Sequence, residues 1–392
     1  MGRSGRLARG WAADRPGLGG GSLSELLRIL EIYPKGDFYT GAAIQLRDLA
    51  RGLVARGHRV VVLTRPSERW AAEARAAGFA HLGIFRLPVD PMGAAGLAAL
   101  LRAERIEVVH AHKGGGRTLA LLARLFGGRP PLVVNRGVSF PLSLGGRLLD
   151  ASRLVARIVA VCEAIKADLV RQGVPADKIE VVYSGTDTDR FDPARVDAAG
   201  VRAELGLASA APLVTQIGVR EPKGNDDALR AFARVHAAHP DARLLLVGAR
   251  AETRPPLETQ VAGLGLGAAV TIWGYRDDVP EILAASAVSV DASHAGLGIT
   301  GTLRESLAME TPAVATNLAG NPELVRDGET GLLVPPRDPQ ALAAAILRLL
   351  ADPGLAKALG RAGRRRVVEG FSTRVKVERL EALYRRVAAL EN

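Results

Sequence analysis

The chain holds one cysteine, Cys162, among its 392 residues. That excludes a disulfide framework and any cysteine-based metal cluster, and it fits a reducing compartment. Aromatic residues make up 4% of the sequence, too few for a surface that stacks nucleobases. Long apolar runs are also missing. Ile29–Ile32 and Val60–Leu63 are strand-length, well short of the ~18 residues of a membrane span. Residues 1–21 are Arg- and Gly-rich without an apolar h-region, which excludes a secretory signal. Arg6 stands where a myristoylation motif needs Ser or Thr. Lysine supplies only seven of the 52 basic residues.

What is present describes a folded chain. Hydrophobic residues are 48%, charged residues 24%, and mean hydropathy is +0.11, a composition that does not stay disordered. Domains cluster near ~100–150 residues, so this length predicts two. The net charge of +11 is almost all arginine. Alongside so much Ala and Gly it reads in part as coding bias. Read functionally, it suits an anionic membrane surface or an acidic substrate. No nucleic-acid-binding motif accompanies it.

From residue 27 onward, strand and helix signals alternate. Strands are predicted at Leu27–Ile32, Arg59–Thr64, Val108–Ala111, Leu132–Asn135, Ile158–Val161 and Ile179–Val182. Helical periodicity lies between them, as at Leu46, Leu49, Ala50 and Leu53. Phe191 to Pro212 breaks the rhythm with Asp192-Pro193, Gly200 and Gly206, and marks a hinge. The alternation then restarts with strands at Leu213–Ile217, Arg243–Val247, Val270–Trp273, Val288–Asp291 and Ala313–Thr316. Such alternation predicts an α/β protein of two doubly wound parallel-sheet domains, with a cleft at their strand C-termini.

Four features in that cleft carry chemistry. Gly296-Leu297-Gly298-Ile299-Thr300-Gly301 follows a predicted strand and opens a predicted helix. Its backbone N–H groups and helix N-terminus suit a phosphate. An NAD fingerprint would need an acidic residue after the next strand, and that strand ends Thr316-Asn317. Gly218-Val219-Arg220-Glu221-Pro222-Lys223-Gly224 places Arg220 and Lys223 at another strand end. They read as two fixed cations for a diphosphate or as a solvated loop. Glu305, taken as a first-turn residue, reads as dipole complementation or as a carboxylate for ribose hydroxyls. His110 and His112 share one strand face. A zinc pair lacks further obvious ligands; just past the strand end, one histidine could touch substrate in the cleft.

These motifs, in their order, resemble the retaining glycosyltransferases of family 4, which have the GT-B fold of two facing Rossmann-like domains. Tyr39-Thr40-Gly41-Ala42-Ala43 resembles the family's glycine-loop opening. Val108-Val109-His110-Ala111-His112 resembles its D-V-V-H-A-H strand, and Lys178–Asp187 with Phe191 its K-I-x-V-V-x-N-G-V-D…F run. Gly274–Val279 and Asn321–Val334 are similar to its later motifs. The resemblance covers roughly residues 27 to 390.

The resemblance implies roles. Arg220 and Lys223 would hold a donor diphosphate, with backbone amides from Gly298, Ile299 and Thr300. Glu305 would match the second glutamate of the E-x7-E motif and bind the ribose. Trp273 and Tyr275 would flank the base, Gly41 would approach the phosphates from the opposite domain, and His112 the transferred sugar. The first glutamate is missing: Leu297 stands eight residues before Glu305, and the expected position falls near His294-Ala295, so His294 joins the donor-site candidates. The implied reaction moves a sugar from a UDP- or GDP-type nucleotide-diphosphate donor to an acceptor hydroxyl, without cofactor or metal. The implied acceptor is lipid-linked or a polysaccharide, as in lipopolysaccharide or glycolipid synthesis, in the cytoplasm at the inner membrane face. A nucleotide-sugar epimerase of the same fold, or a non-catalytic binding protein, are the other readings. The expected organisation is a disordered extension over 1–24, an acceptor-side domain over 25–190, a hinge over 191–212, a donor domain over 213–371, and a final helix over 372–392 packing back on the first domain.

Overall fold

The computed structural model describes residues 26–138, 141–296 and 298–389. The expected extension over 1–24 and the residue Leu297 lie outside them.

Seven strands form the first sheet: β1 (Arg28–Ile32), β2 (Arg59–Leu63), β3 (Ala80–Leu82), β4 (Val108–His112), β5 (Leu132–Arg136), β6 (Arg157–Ala160) and β7 (Ile179–Val181). Their order is β3-β2-β1-β4-β5-β6-β7. Six form the second: β8 (Leu213–Ile217), β9 (Arg243–Val247), β10 (Val270–Trp273), β11 (Val288–Asp291), β12 (Ala313–Thr316) and β13 (Leu332–Val334), in the order β10-β9-β8-β11-β12-β13. Every pairing is parallel. Unbroken aliphatic runs such as Val60–Leu63 and Leu244–Val247 form strands because helices bury both faces of a parallel sheet.

In the first domain one face of the sheet, with Leu30, Ile32, Val109 and Ala111, packs under helices Pro91–Ala103 and Lys113–Arg124. The other face, with Ile29, Val60, Val62 and Val108, packs under helix Gly41–Ala55 and the last helix, Thr373–Ala389. That last helix buries Val377, Leu380, Leu383, Tyr384 and Val387 there, its aliphatic side chains each worth ~1.5–3 kcal/mol when fully buried. Side-chain caps set several helix starts as the sequence suggests: Asp338 Oδ1 accepts from Ala341 N at 2.9 Å ahead of Pro339.

The chain passes between the domains twice, and the two passes bond to each other. Thr186 N donates to Phe371 O, and Thr373 N to Thr186 O, both at 2.9 Å. Residues 191–212, read from sequence as the hinge, lie on the second domain. Phe191 is buried in one of its clusters and Val201 in another, with Leu213, Val247 and Ile282. Among the described residues, no helix is long and apolar enough to cross a membrane.

Candidate functional site

Each sheet reverses its winding between two adjacent strands, β1 and β4 in the first and β8 and β11 in the second. Loops leaving such a pair diverge and open a crevice at the strand C-termini, the usual ligand position in open α/β sheets. Most predicted site residues fall at these two points, whereas Trp273 and Tyr275 follow the edge strand β10.

In the second domain the loop after β8 turns through Gly218 and Gly224, both with positive φ. At Gly224 (φ 65) a Cβ would fall 1.9 Å from Ala292 O, so only glycine lets this loop lie against the one after β11. Lys223 folds back and is buried, its Nζ 3.2 Å from Asp291 Oδ2 at the end of β11. The Thr300 hydroxyl donates to the same oxygen, and Ser293 N donates to Oδ1 at 3.1 Å. Burial pushes Asp291 up, but Lys223, Ser293 and Thr300 outweigh it and hold the carboxyl below its usual range. The two cations expected here are therefore not equivalent. Lys223 is fixed and already ion-paired, whereas Arg220 is exposed and makes no ion pair among the described residues. Glu221 also has a partner: His294 Nε2 lies 3.1 Å from its Oε2, and Arg337 reaches the other ring nitrogen at 3.5 Å.

Helix Gly301–Ala308 starts at this point, with Thr300 as N-cap accepting from Leu303 N. The first N–H groups of a helix have no intrahelical acceptor, so those before Leu303 face the loop together with Gly298 and Ile299. The Ile299 side chain packs against core clusters of both domains, and a Cβ on Gly298 would meet Gly137 O of the first domain at 3.4 Å. The loop is thus held against the opposite wall.

The placement of Glu305 corrects the sequence reading. It lies in the second turn, not the first, and is half-buried. Burial raises its carboxyl above the usual range, while Arg304, Arg190 and Lys223 pull it down. Arg304 beside it is buried, donates to Ile299 O at 3.0 Å, and is pushed down to about 10 by that burial.

Trp273 ends β10 half-buried, one face covered by the Arg276 guanidinium at 4.2 Å from the ring centroid. Arg276 is held in turn by Glu204 and Asp278. Tyr275 is exposed and bonds Asp277 Oδ1 at 2.8 Å. Its ring meets Tyr39 of the first domain at 5.7 Å, so it stands at the mouth of the cleft. Gly41, two residues after Tyr39, is the first residue of its helix, and a Cβ there would meet nothing within 4 Å.

On the opposite wall His112 ends β4. Its Nε2 lies 2.6 Å from Glu31 Oε2, and Glu31 is fully buried in β1. His110 Nδ1 lies 3.2 Å from the same oxygen and 2.6 Å from the hydroxyl of Tyr384. Tyr384 donates to Glu31 Oε1 at 3.0 Å. Ligand atoms of Glu31, His110 and His112 lie within 4.8 Å of one another. Two ligands of one tetrahedral zinc would stand ~3.3 Å apart, whereas 2.6 Å is a hydrogen-bond distance. The geometry is that of a hydrogen-bonded cluster.

The sequence reading did not include Asp291, Glu31, Tyr384 or Lys376. Lys376 is half-buried near Asp48 and Glu31 and donates to Gln45 O at 2.7 Å; desolvation pushes it down to about 8. The available signal was Glu31 itself, a charge inside the apolar run Leu27–Ile32.

Residues 39–190 match the family described as Glycosyltransferase Family 4, and residues 211–352 match the one described as glycosyl transferases group 1. The chain is 32% identical over 331 residues to the alpha-maltose-1-phosphate synthase of Mycolicibacterium smegmatis, spanning 76% of this chain and 84% of that one. A solved glycosyltransferase from Rickettsia africae is similar with a TM-score of 0.86 at 21% identity, over 92% of this chain and 98% of the other. The Anabaena protein HepE, solved in complex with UDP-glucose, is similar with a TM-score of 0.76 at 21% identity, over 91% and 98%. At these identities both structures speak to the fold.

Proposed function

The chain belongs to glycosyltransferase family 4 and has the GT-B fold, and from that premise we propose that it moves a sugar from a nucleotide-diphosphate donor to an acceptor hydroxyl with retention at the anomeric carbon. The observation that carries this reading is the second switch point, where a helix N-terminus, a capping threonine and a buried lysine meet at one carboxylate.

In this reading the donor diphosphate lies at the start of helix Gly301–Ala308, against the amides of Gly298, Ile299 and Thr300. The helix end supplies about half a positive charge, and Lys223 and Arg220 add cations where negative charge develops as the diphosphate leaves. Glu305 accepts the ribose hydroxyls, and the base lies toward Trp273 and Tyr275. His294 lines the donor side, while Gly41 and His112 complete the site from the opposite wall. The cationic elements take the part that a divalent metal plays elsewhere, so turnover is expected in excess chelator. The acceptor is a lipid-linked glycan or polysaccharide, presented at an anionic cytoplasmic membrane face that the net charge of +11 favours.

The test is a panel of UDP-, GDP- and ADP-sugars, with and without membrane lipid, reading nucleotide diphosphate release and the anomeric configuration of the product. HepE, of the same fold, was solved with UDP-glucose, so UDP-sugars come first. Acceptor-dependent release supports the proposal. Sugar isomerisation without acceptor would assign an epimerase, and binding without release a non-catalytic protein.

A further inference from the structure

We propose that Glu31 is a positioning residue of the transfer site: its carboxylate locks His112 in the Nε2–H tautomer, so that His112 offers Nδ1 to the cleft as an acceptor for a hydroxyl of the bound sugar. This rests on the reading above that His112 meets the transferred sugar.

The register puts the parts together. Glu31 is the direct partner of His110 across the parallel β1–β4 pair, and His112 lies two residues on, on the same face. That face otherwise carries Ile29, Val60, Val62, Val108 and Val133. Packing alone would place another aliphatic residue there. A carboxylate is costly in such a setting unless hydrogen bonds surround it, and here three side chains converge on it. His112 Nε2 is at 2.6 Å, Tyr384 Oη at 3.0 Å and His110 Nδ1 at 3.2 Å.

The protons follow from the charge state. Burial pushes Glu31 up, but His110 and His112 more than reverse this and hold the group far below its usual range. An ionised carboxylate only accepts hydrogen bonds, so His112 Nε2 must carry a hydrogen. Burial and the neighbouring His110 push His112 itself down to about 4, so the ring is neutral near pH 7 and Nδ1 is a bare lone pair. Nδ1 has no hydrogen-bond partner among the described residues, and the side chain retains 11% exposure at the open end of β4. A buried carboxylate that orients an imidazole through one nitrogen, leaving the other for the ligand, is a recurrent positioning device.

The experiment starts from the 15N-histidine-labelled full chain. Long-range proton–nitrogen spectra, with His112 assigned by its loss in His112→Asn, should show a protonated Nε2 and a bare Nδ1 at pH 7.5. Glu31→Gln should move His112 toward a mixture of tautomers. It should also lower kcat on the order of 10–100-fold with donor KM nearly unchanged. That is less than for a triad carboxylate, because His112 here accepts a hydrogen bond and does not carry the reacting proton. Tyr384→Phe removes one donor to Glu31, keeps the volume, and should give a smaller fall in kcat. An Nδ1–H signal in the native protein overturns the proposal. So does a folded Glu31→Gln protein with native kcat. The spectrum does not depend on turnover. Turnover with an Nδ1–H signal would sink the lock and leave the transferase reading intact. A failed donor panel with the Nε2–H signal present would remove the sugar and leave the lock.

Discussion

Replacing Lys223 by methionine should damage both the fold and turnover, and a second substitution should separate the two. Lys223 Nζ stands 3.2 Å from Asp291 Oδ2, with both side chains buried. At an effective dielectric of 20 such a pair attracts by ~5 kcal/mol, and desolvation of both ions offsets part of that. Removing one partner of a buried pair costs about 3–5 kcal/mol, because the other charge is stranded. Asp291 would keep the Thr300 hydroxyl and Ser293 N–H, so the lower end, about 3 kcal/mol, is expected. The double change Lys223→Met with Asp291→Asn leaves no stranded charge and should regain most of that stability. It should not regain turnover, because the cation is still missing from the leaving diphosphate. Both proteins should stay on the order of 10²-fold below the native kcat. Urea denaturation followed by circular dichroism, beside initial rates at saturating donor, measures the two effects. A double variant that recovers rate together with stability would reduce Lys223 to a structural ion-pair partner and refute its role at the phosphates.

Gly41→Val should leave the unfolding free energy from urea denaturation within about 0.5 kcal/mol of native, since a Cβ there meets nothing within 4 Å. It should raise donor KM about tenfold or more, as titration with the free nucleotide diphosphate would also show; unchanged affinity removes Gly41 from the site. Glu305→Ala should weaken nucleotide binding by about 1.5–3 kcal/mol, the range for a hydrogen bond to a charged group, and calorimetric titration reads it. It should cost the fold little, because burial already disfavours that carboxylate. Lys376 is pushed down to about 8 in the folded chain from 10.5, so the unfolded chain binds its proton more tightly and native stability rises with pH between those values. Lys376→Met should remove on the order of 3 kcal/mol of that rise, measured as denaturation midpoints of both proteins from pH 7.5 to 10.

The fold was legible wherever one short-range signal decided an element. Leu213–Ile217, Arg243–Val247, Val270–Trp273, Val288–Asp291 and Ala313–Thr316 are strands with the bounds their apolar runs suggest. Helices whose composition speaks against them were not legible. Arg254–Gly263 buries only Leu257 and Val261, too thin an apolar stripe to mark it. Pro353–Gly370 carries four glycines, which count against a helix. At one of them, Gly360, a Cβ would fall 2.0 Å from Glu310 O, so the glycine serves a close approach and not a bend. The run Gly114–Gly116 likewise counts against a helix, yet the helix after β4 begins at Lys113, directly beyond His112.

The site divides along the same line. Its loops announce themselves through glycines and short motifs, whereas the residues that hold it rigid do not. Asp291 and Lys223 are 68 positions apart, and Glu31 and His112 are 81 apart; only the topology brings either pair together. Both pairs sit at a switch point, and they follow one plan. At β11 a buried carboxylate holds a lysine from the neighbouring β8 loop. At β1 a buried carboxylate holds a histidine from neighbouring β4. Strands that diverge into a crevice leave polar side chains without lateral packing, and a carboxylate on the adjacent strand supplies the constraint that packing cannot. The two domains therefore share more than a winding order. On the proposed reading, each anchors the side chain it offers to the cleft through an acid one strand away, and substitutions at those acids should change transfer without touching a substrate atom.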